Sequence, residues 1–356
     1  MGVSSRRRSF GIGIGITNDC NLGCAHCYRP QDRIYQLSLD EIRAICETLE
    51  VTSFNMGTGE SWLHPQFPEI VTYLAGRGIK MSMASNGHSL NEIPDSLLRH
   101  FHDVEVSIDF RTPAEQDAFR GQGNWDCVMA AIDRCHRLGS GSSEASLGTP
   151  RAQGIEVTIL ATLMNVNYDQ MDGLVEVARQ IGANLRVNVY QPVGQDKFML
   201  SYEQFWEAYR RLLGAGHLLS TSEPIVHAMA GLDSLSGSPC GRQSIRFTPR
   251  RYITPCVYWP HPDLTIDDLP DLGAEGILDS EQFRQARRVP EACLDCPHVS
   301  SCGGGCASRR ALLGDLHQPD IYCPLVRGET VDLSFTPAPA KDLPRGGNVC
   351  TTIIVP

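Results

Sequence analysis

The sequence predicts an α/β fold of parallel strands, either an open partial barrel or a doubly wound sheet, followed by a smaller cysteine-rich region. One observation carries the first part. β-rich and helical segments alternate six times between residue 10 and about residue 213, and six β-then-α units in series require parallel strands joined by right-handed crossovers. The second part rests on another observation: the periodicity lapses after about 214, and cysteines crowd the chain up to Cys323. At 356 residues the chain has room for one large domain and a smaller one.

The expected strands are FGIGIGIT, VTSFNMG, IKMSMAS, DVEVSIDF, IEVTILATL and NLRVNVYQP. Between and after them lie the helical segments LSLDEIRAICETLE, PQFPEIVTYLAGRG, NEIPDSLLRHF, NWDCVMAAIDRCHRLG, DQMDGLVEVARQIG and YEQFWEAYRRLLG. Ser38 with Glu41 fits a capping box, and Gly139 and Gly182 sit where helix C-caps belong. Residues 139–154, rich in Gly and Ser, read as a flexible insert before the fifth strand. Function is expected at the C-terminal strand edge. The organisation is therefore a barrel over 1–215, a linker over 216–239, a cysteine-rich domain over 240–323 and a tail over 324–356.

Net charge is −10, so the whole chain does not attract nucleic acid or an anionic membrane. No run approaches the ~18 apolar residues of a spanning helix, and the N-terminal SRRRSFGIGIGI lacks the h-region and cleavage site of an export signal. A cytoplasmic location is expected. Fourteen cysteines in a reducing compartment then point to metal and not to disulfides.

Ten cysteines fall into groups: 20/24/27, 240/256 and 293/296/302/306/323. The first group, TNDCNLGCAHCYRP, supplies three thiolates at the end of the first strand, one short of a closed tetrahedral site. Thiolates suit iron–sulfur clusters, and a cube on Cys20, Cys24 and Cys27 leaves one iron open. CNLGCAHCY, with an aromatic after the third cysteine, resembles the cluster loop of the radical S-adenosylmethionine (SAM) enzymes. The resemblance implies a partial (β/α)6 TIM-like barrel, SAM held on the open iron, and a 5′-deoxyadenosyl radical released by one-electron reduction. An electron donor such as flavodoxin or ferredoxin would supply that electron.

NMGTGESWLHPQF resembles the family's G-G-E segment, which receives the SAM amine; Thr58 stands in place of its first Gly, so only Gly59 and Glu60 carry over. Ser85 and Asn86, then Ser107 and Asp109, match the family's later strand ends, with Phe110 where a Gly is usual. Arg120 and Arg186 are candidate partners for the SAM carboxylate, since guanidinium binds carboxylates in bidentate fashion. The C-terminal cysteines are similar to the seven-cysteine pattern of the SPASM domain, a smaller cysteine-rich iron–sulfur domain with two auxiliary clusters. The resemblance implies one [4Fe–4S] cluster on Cys293, Cys296, Cys302 and Cys323 and another on Cys240, Cys256 and Cys306, three clusters in all. Arg251 departs from that pattern, standing where a Gly usually lies.

No upstream cysteine supplies a fourth ligand to the second set; Asp233, Ser234 or the main chain are harder donors than thiolate, and Cys350 lies beyond the paired glycines 346 and 347. A non-cysteine fourth position is the expectation. Cys46 reads as core, His26 as loop filler, and Tyr28 as packing beside the cluster. The expected activity is oxidation of a C–H bond. Only 19 residues precede Cys20, which favours a small-molecule or sugar substrate over a ribosomal peptide. A redox-neutral epimerase is the enzymatic alternative, with Cys127, Cys135 or Cys350 returning the hydrogen atom. A zinc-stabilised binding protein is the non-enzymatic one.

Overall fold

The computed structural model describes residues 9–140, 155–232, 240–242, 244–340 and 350–356. Six parallel strands follow the expected order: β1 (Ser9–Ile14), β2 (Glu50–Met56), β3 (Lys80–Ser85), β4 (Phe101–Ser107), β5 (Glu156–Leu163) and β6 (Asn184–Val189). Their outer residues, such as Val104, Val106, Ile159, Leu185 and Val187, are buried in one apolar core. The alternate positions, Asn55, Glu105 and Ser107, Thr162, and Arg186 and Asn188, line a cavity instead. The two-residue side-chain period of a strand produces this division.

The crossover helices are α1 (Leu39–Thr48), α2 (Phe67–Gly76), α3 (His88–Glu92), α4 (Asp95–Leu98), α5 (Pro113–Arg120), α6 (Asn124–Ser140) and α7 (Met171–Gln180), followed by α8 (Tyr202–Ala215). Ser38 and Glu41 form the capping box of α1, and Ser201 with Gln204 forms another on α8. The single helix expected over NEIPDSLLRHF is two short ones. Pro94 drives the preceding Ile93 into an extended conformation and breaks the helix there. Gly182 follows α7 at φ +67, whereas α6 runs on through Gly139 to Ser140. The rest of the expected insert, 141–154, lies outside the described residues, as do Asp233, Ser234, Gly346 and Gly347.

The sheet crosses the expected domain boundaries. The segment read as a linker contains β7 (His217–Thr221) and α9 (Pro224–Met229). β8 (Ile245–Phe247) pairs with β1, and β9 (Tyr252–Thr254) and β10 (Leu264–Thr265) continue that side. In the tail, β11 (Thr336–Pro337) pairs with β7, and β12 (Thr351–Val355) lies antiparallel between β6 and β7. The order is β10-β9-β8-β1-β2-β3-β4-β5-β6-β12-β7-β11. β12 covers the free edge of β6 and buries Ile353 and Ile354, which neither segment would achieve alone. The remaining helices are α10 (Leu269–Asp279), α11 (Glu281–Ala286), α12 (Val299–Cys302) and α13 (Ala307–Leu312).

Candidate active site

The cavity opens at the C-terminal ends of β1–β6, with an empty volume of about 1340 Å³ including its mouth. Cys20, Cys24 and Cys27 all line it. Their loop is fixed by its neighbours. The Asn18 amide donates to the carbonyls of Pro30 and Arg33, each at 2.9 Å, and accepts from the Tyr35 N–H at 2.6 Å, tying the loop's two ends together. Arg29 donates to the Leu22 carbonyl at 2.6 Å. Burial pushes the Cys20 thiol up to about 11, and Cys24 shifts in the same direction for the same first cause.

Gly59 follows β2 at φ +67, and a Cβ there would stand 2.3 Å from the Asp19 carbonyl oxygen. That oxygen accepts the Glu60 N–H at 2.7 Å, so only glycine allows this approach. The Glu60 carboxylate lines the cavity but is 2% exposed, and it accepts from the Asn86 N–H at 2.5 Å and the Ser85 hydroxyl at 2.8 Å. Burial raises its pKa against these hydrogen bonds. The Asn86 side chain donates to Asn21 at 2.7 Å and reaches the Cys20 sulfur at 3.7 Å. Ser107 lines the cavity through β4.

Asp109 is elsewhere. It is fully buried behind the wall, where one carboxylate oxygen accepts two nitrogens of Arg120 at 2.7 Å and the other accepts the Thr162 N–H at 2.8 Å. Burial pushes Asp109 up, but Arg120 outweighs it and holds the carboxyl below its usual range. Asp109 thus positions Arg120, which lines the cavity and stands 3.9 Å from the Cys24 sulfur. Arg186 also lines the cavity, paired with Glu105 at 2.9 Å. His26 is more than filler: it stacks on Phe119 at 5.1 Å, lies 3.9 Å from Asp109, and burial lowers it to about 4.

Among the described residues only two non-glycine residues hold positive φ, Thr58 (+78) and Arg251 (+71). Both stand where the resemblance expects glycine, so the backbone bend is kept without the residue that favours it. Thr58 is clamped: its hydroxyl meets the Tyr28 hydroxyl at 2.8 Å and accepts from Arg246 at 2.7 Å. Arg251 pairs with Glu41 at 2.5 Å and Asp267 at 2.6 Å. The sequence reading missed Arg246, Asn188, Gln191 and Tyr258, all on the cavity wall. Buried Arg186 Nε, Arg246 Nε, Asn188 Oδ1 and Gln191 Oε1 have no protein partner.

The C-terminal cysteines gather at two places. Cys293, Cys296, Cys302 and Cys323 line one small pocket beneath α9. Cys240, Cys256 and Cys306 pack together with Cys350, Trp259 and Ala307 in a cluster separate from the main core. Asp320 accepts the Cys306 N–H at 2.8 Å and is held by Arg309, which also binds Glu223 at 2.7 Å. No group of three or more His, Cys, Asp or Glu among the described residues has single-ion geometry. In an iron–sulfur cube each thiolate binds its own iron, a wider set than the shell of one ion.

The structure does not bring the hydrogen-donor candidates to the cavity. Cys135 is packed in the barrel core, and Cys127 lies on α6 against Asn91. Cys350 is buried in the cluster of Cys240, Cys256 and Cys306, although its neighbour Thr351 does line the cavity. Cys46 is buried in the core. No helix is long and apolar enough to cross a membrane among the described residues.

Residues 14–178 match the profile of the Radical SAM superfamily. The chain is 27% identical to the mycofactocin maturase MftC of Mycolicibacterium smegmatis, over 93% of this chain and 87% of the relative. It is 24% identical to the PqqA peptide cyclase of Xanthomonas axonopodis pv. citri, over 92% of each. Among solved structures, anSMEcpe with bound AdoMet superposes with a TM-score of 0.69 at 14% identity, covering 90% of this chain and 92% of that one. Streptococcus suis SuiB bound to the precursor peptide SuiA gives 0.63 at 15% identity, over 88% and 76%. At these identities the structural likenesses establish the fold, an α/β partial barrel.

Proposed function

We propose that this chain, with its radical SAM domain over 14–178, is an oxidoreductase that matures a ribosomally made peptide at an unactivated C–H bond. The carrying observation is the cavity itself: three thiolate donors, one short of closure, face buried polar atoms with no protein partner. A [4Fe–4S] cluster held by Cys20, Cys24 and Cys27 would, with bound SAM and one electron from an external donor, supply a 5′-deoxyadenosyl radical. The chain's own residues do the rest. Glu60 and the Asn86 main chain fix the end of β3 beside Cys20 and offer acceptors to the SAM amine. Arg120, oriented by Asp109, and Arg186 offer cationic donors for carboxylates.

Cys293, Cys296, Cys302 and Cys323 would hold one auxiliary cluster, and the Cys240 group another. Tyr28, next to Cys27, meets Tyr258, two residues from Cys256, with ring centroids 5.1 Å apart. That contact supports electron relay between the opening cluster and the Cys240 site, with a flavodoxin or ferredoxin as external donor.

The expectation of a small-molecule substrate rested on the 19 residues before Cys20. Relatives spanning nine-tenths of the chain, one of them named a peptide cyclase, favour a peptide instead. Reduced, cluster-loaded protein given SAM and deuterated candidate peptides should form deuterated 5′-deoxyadenosine, and Cys24→Ala should form none. Deuterium transfer from a small molecule and from no peptide would overturn the substrate class. Cleavage of SAM by Cys24→Ala would overturn the reading itself.

A further inference from the structure

The expectation of a non-cysteine fourth ligand at the Cys240 site does not agree with the packing. β12 runs antiparallel between β6 and β7, and this register brings Cys350, the residue before it, into the cluster of Cys240, Cys256 and Cys306. The four cysteines are 1%, 2%, 2% and 6% exposed for 240, 256, 306 and 350. Cys350 packs in one buried cluster with Cys240, Cys256 and Cys306, beside Trp259 and Ala307. Four soft donors gathered in one buried cluster match the ligand set of a cube with no open iron. An apolar role alone would not gather four thiols from four separate segments.

We propose that Cys350 is the fourth thiolate of the auxiliary cluster on Cys240, Cys256 and Cys306, closing that site against substrate and water. The proposal rests on the reading of the chain as an iron–sulfur enzyme. On ligation each thiol loses its proton to solvent and forms one S–Fe bond, with no electron exchanged. A closed site transfers electrons and does not bind the peptide. It also anchors Thr351 in the cavity wall, so the tail becomes part of the active-site lining.

The test uses the full chain with Cys20, Cys24 and Cys27 replaced by alanine, which leaves only the auxiliary sites. Reduced protein is treated with 13C-cyanide, and its hyperfine coupling to the cluster EPR signal is read. The parent should show no coupling; adding Cys350→Ala should make it appear, and Cys350→Ser should shift the g values of one signal and leave the other. Cys127→Ala, outside the cluster, is the control and should leave both signals unchanged. Coupling already present in the parent, or spectra unaltered by both Cys350 variants, would overturn the assignment. A parent that retains no iron would overturn the iron–sulfur reading instead, so the two failures are distinguishable. Iron content and circular dichroism identify a variant that has lost its fold; Cys350→Ser, which keeps an oxygen donor in the same volume, then decides.

Discussion

Replacing Thr58 by glycine restores the residue that the G-G-E resemblance expects, and a consensus change of that kind commonly stabilises a protein by about 0.5–2 kcal/mol. The structure predicts the opposite sign. At φ +78 the threonine carries left-handed strain of about 1–2 kcal/mol, which glycine would relieve. Against this, the unfolded glycine gains entropy worth about 0.5–1 kcal/mol. The half-buried Tyr28 hydroxyl loses its 2.8 Å partner, at a cost of about 1–3 kcal/mol. Arg246 also gives up a bond, about 1.5 kcal/mol for a charged donor, while keeping its contact to the Gly57 carbonyl. With water from the adjoining cavity recovering part of the loss, the net is destabilisation by about 1–3 kcal/mol. Thermal unfolding of cluster-loaded protein should register a lower midpoint for Thr58→Gly. Thr58→Ser, which keeps the hydroxyl, should stay close to the parent. A Thr58→Gly protein as stable as the parent, or more so, would refute the claim that the hydroxyl clamp outweighs the strain.

Glu60→Gln should weaken SAM binding about tenfold or more at unchanged iron content, because the charge-assisted bonds proposed from the SAM amine to the carboxylate become neutral ones about half as strong; equilibrium dialysis with unaltered affinity would remove Glu60 from the site. Asp103 is raised to about 7 by burial first and by the Glu105 carboxylate second. Its folded value lies above its unfolded one of about 3.9, so its stabilising proton is fully held below about pH 4 and that contribution is lost as pH rises through about 7. Asp103→Asn should therefore gain on the parent between those limits and hold the advantage above them; parallel stability–pH curves would refute this.

The six strands and the capping boxes of the barrel were legible because their signals are local: β-rich runs, Ser38 with Glu41, and spacing that names Cys20, Cys24 and Cys27. Pro94 was legible too, and its effect on Ile93 should have divided the helix over NEIPDSLLRHF. What could not be read were partnerships distant in sequence. Nothing around Asp109 in SIDF indicates that its carboxylate turns away from the cavity to Arg120 at the end of the next helix. Arg246 lies in a three-residue strand whose pairing with β1 no periodicity announces. Cys350 belongs to no spacing motif, because the sheet register and not the chain brings it to Cys306.

The placement of β12 bears on how the molecule is made. Its hydrogen-bonding partners on β7 and β6 are synthesised some 131 and 164 residues earlier, and contacts this far apart in sequence form late. Until residue 355 has left the ribosome, the nascent barrel exposes the edges of β6 and β7 to any passing strand. A chaperone or an iron–sulfur carrier that recognised this open form would meet it only in the interval before the last strand docks.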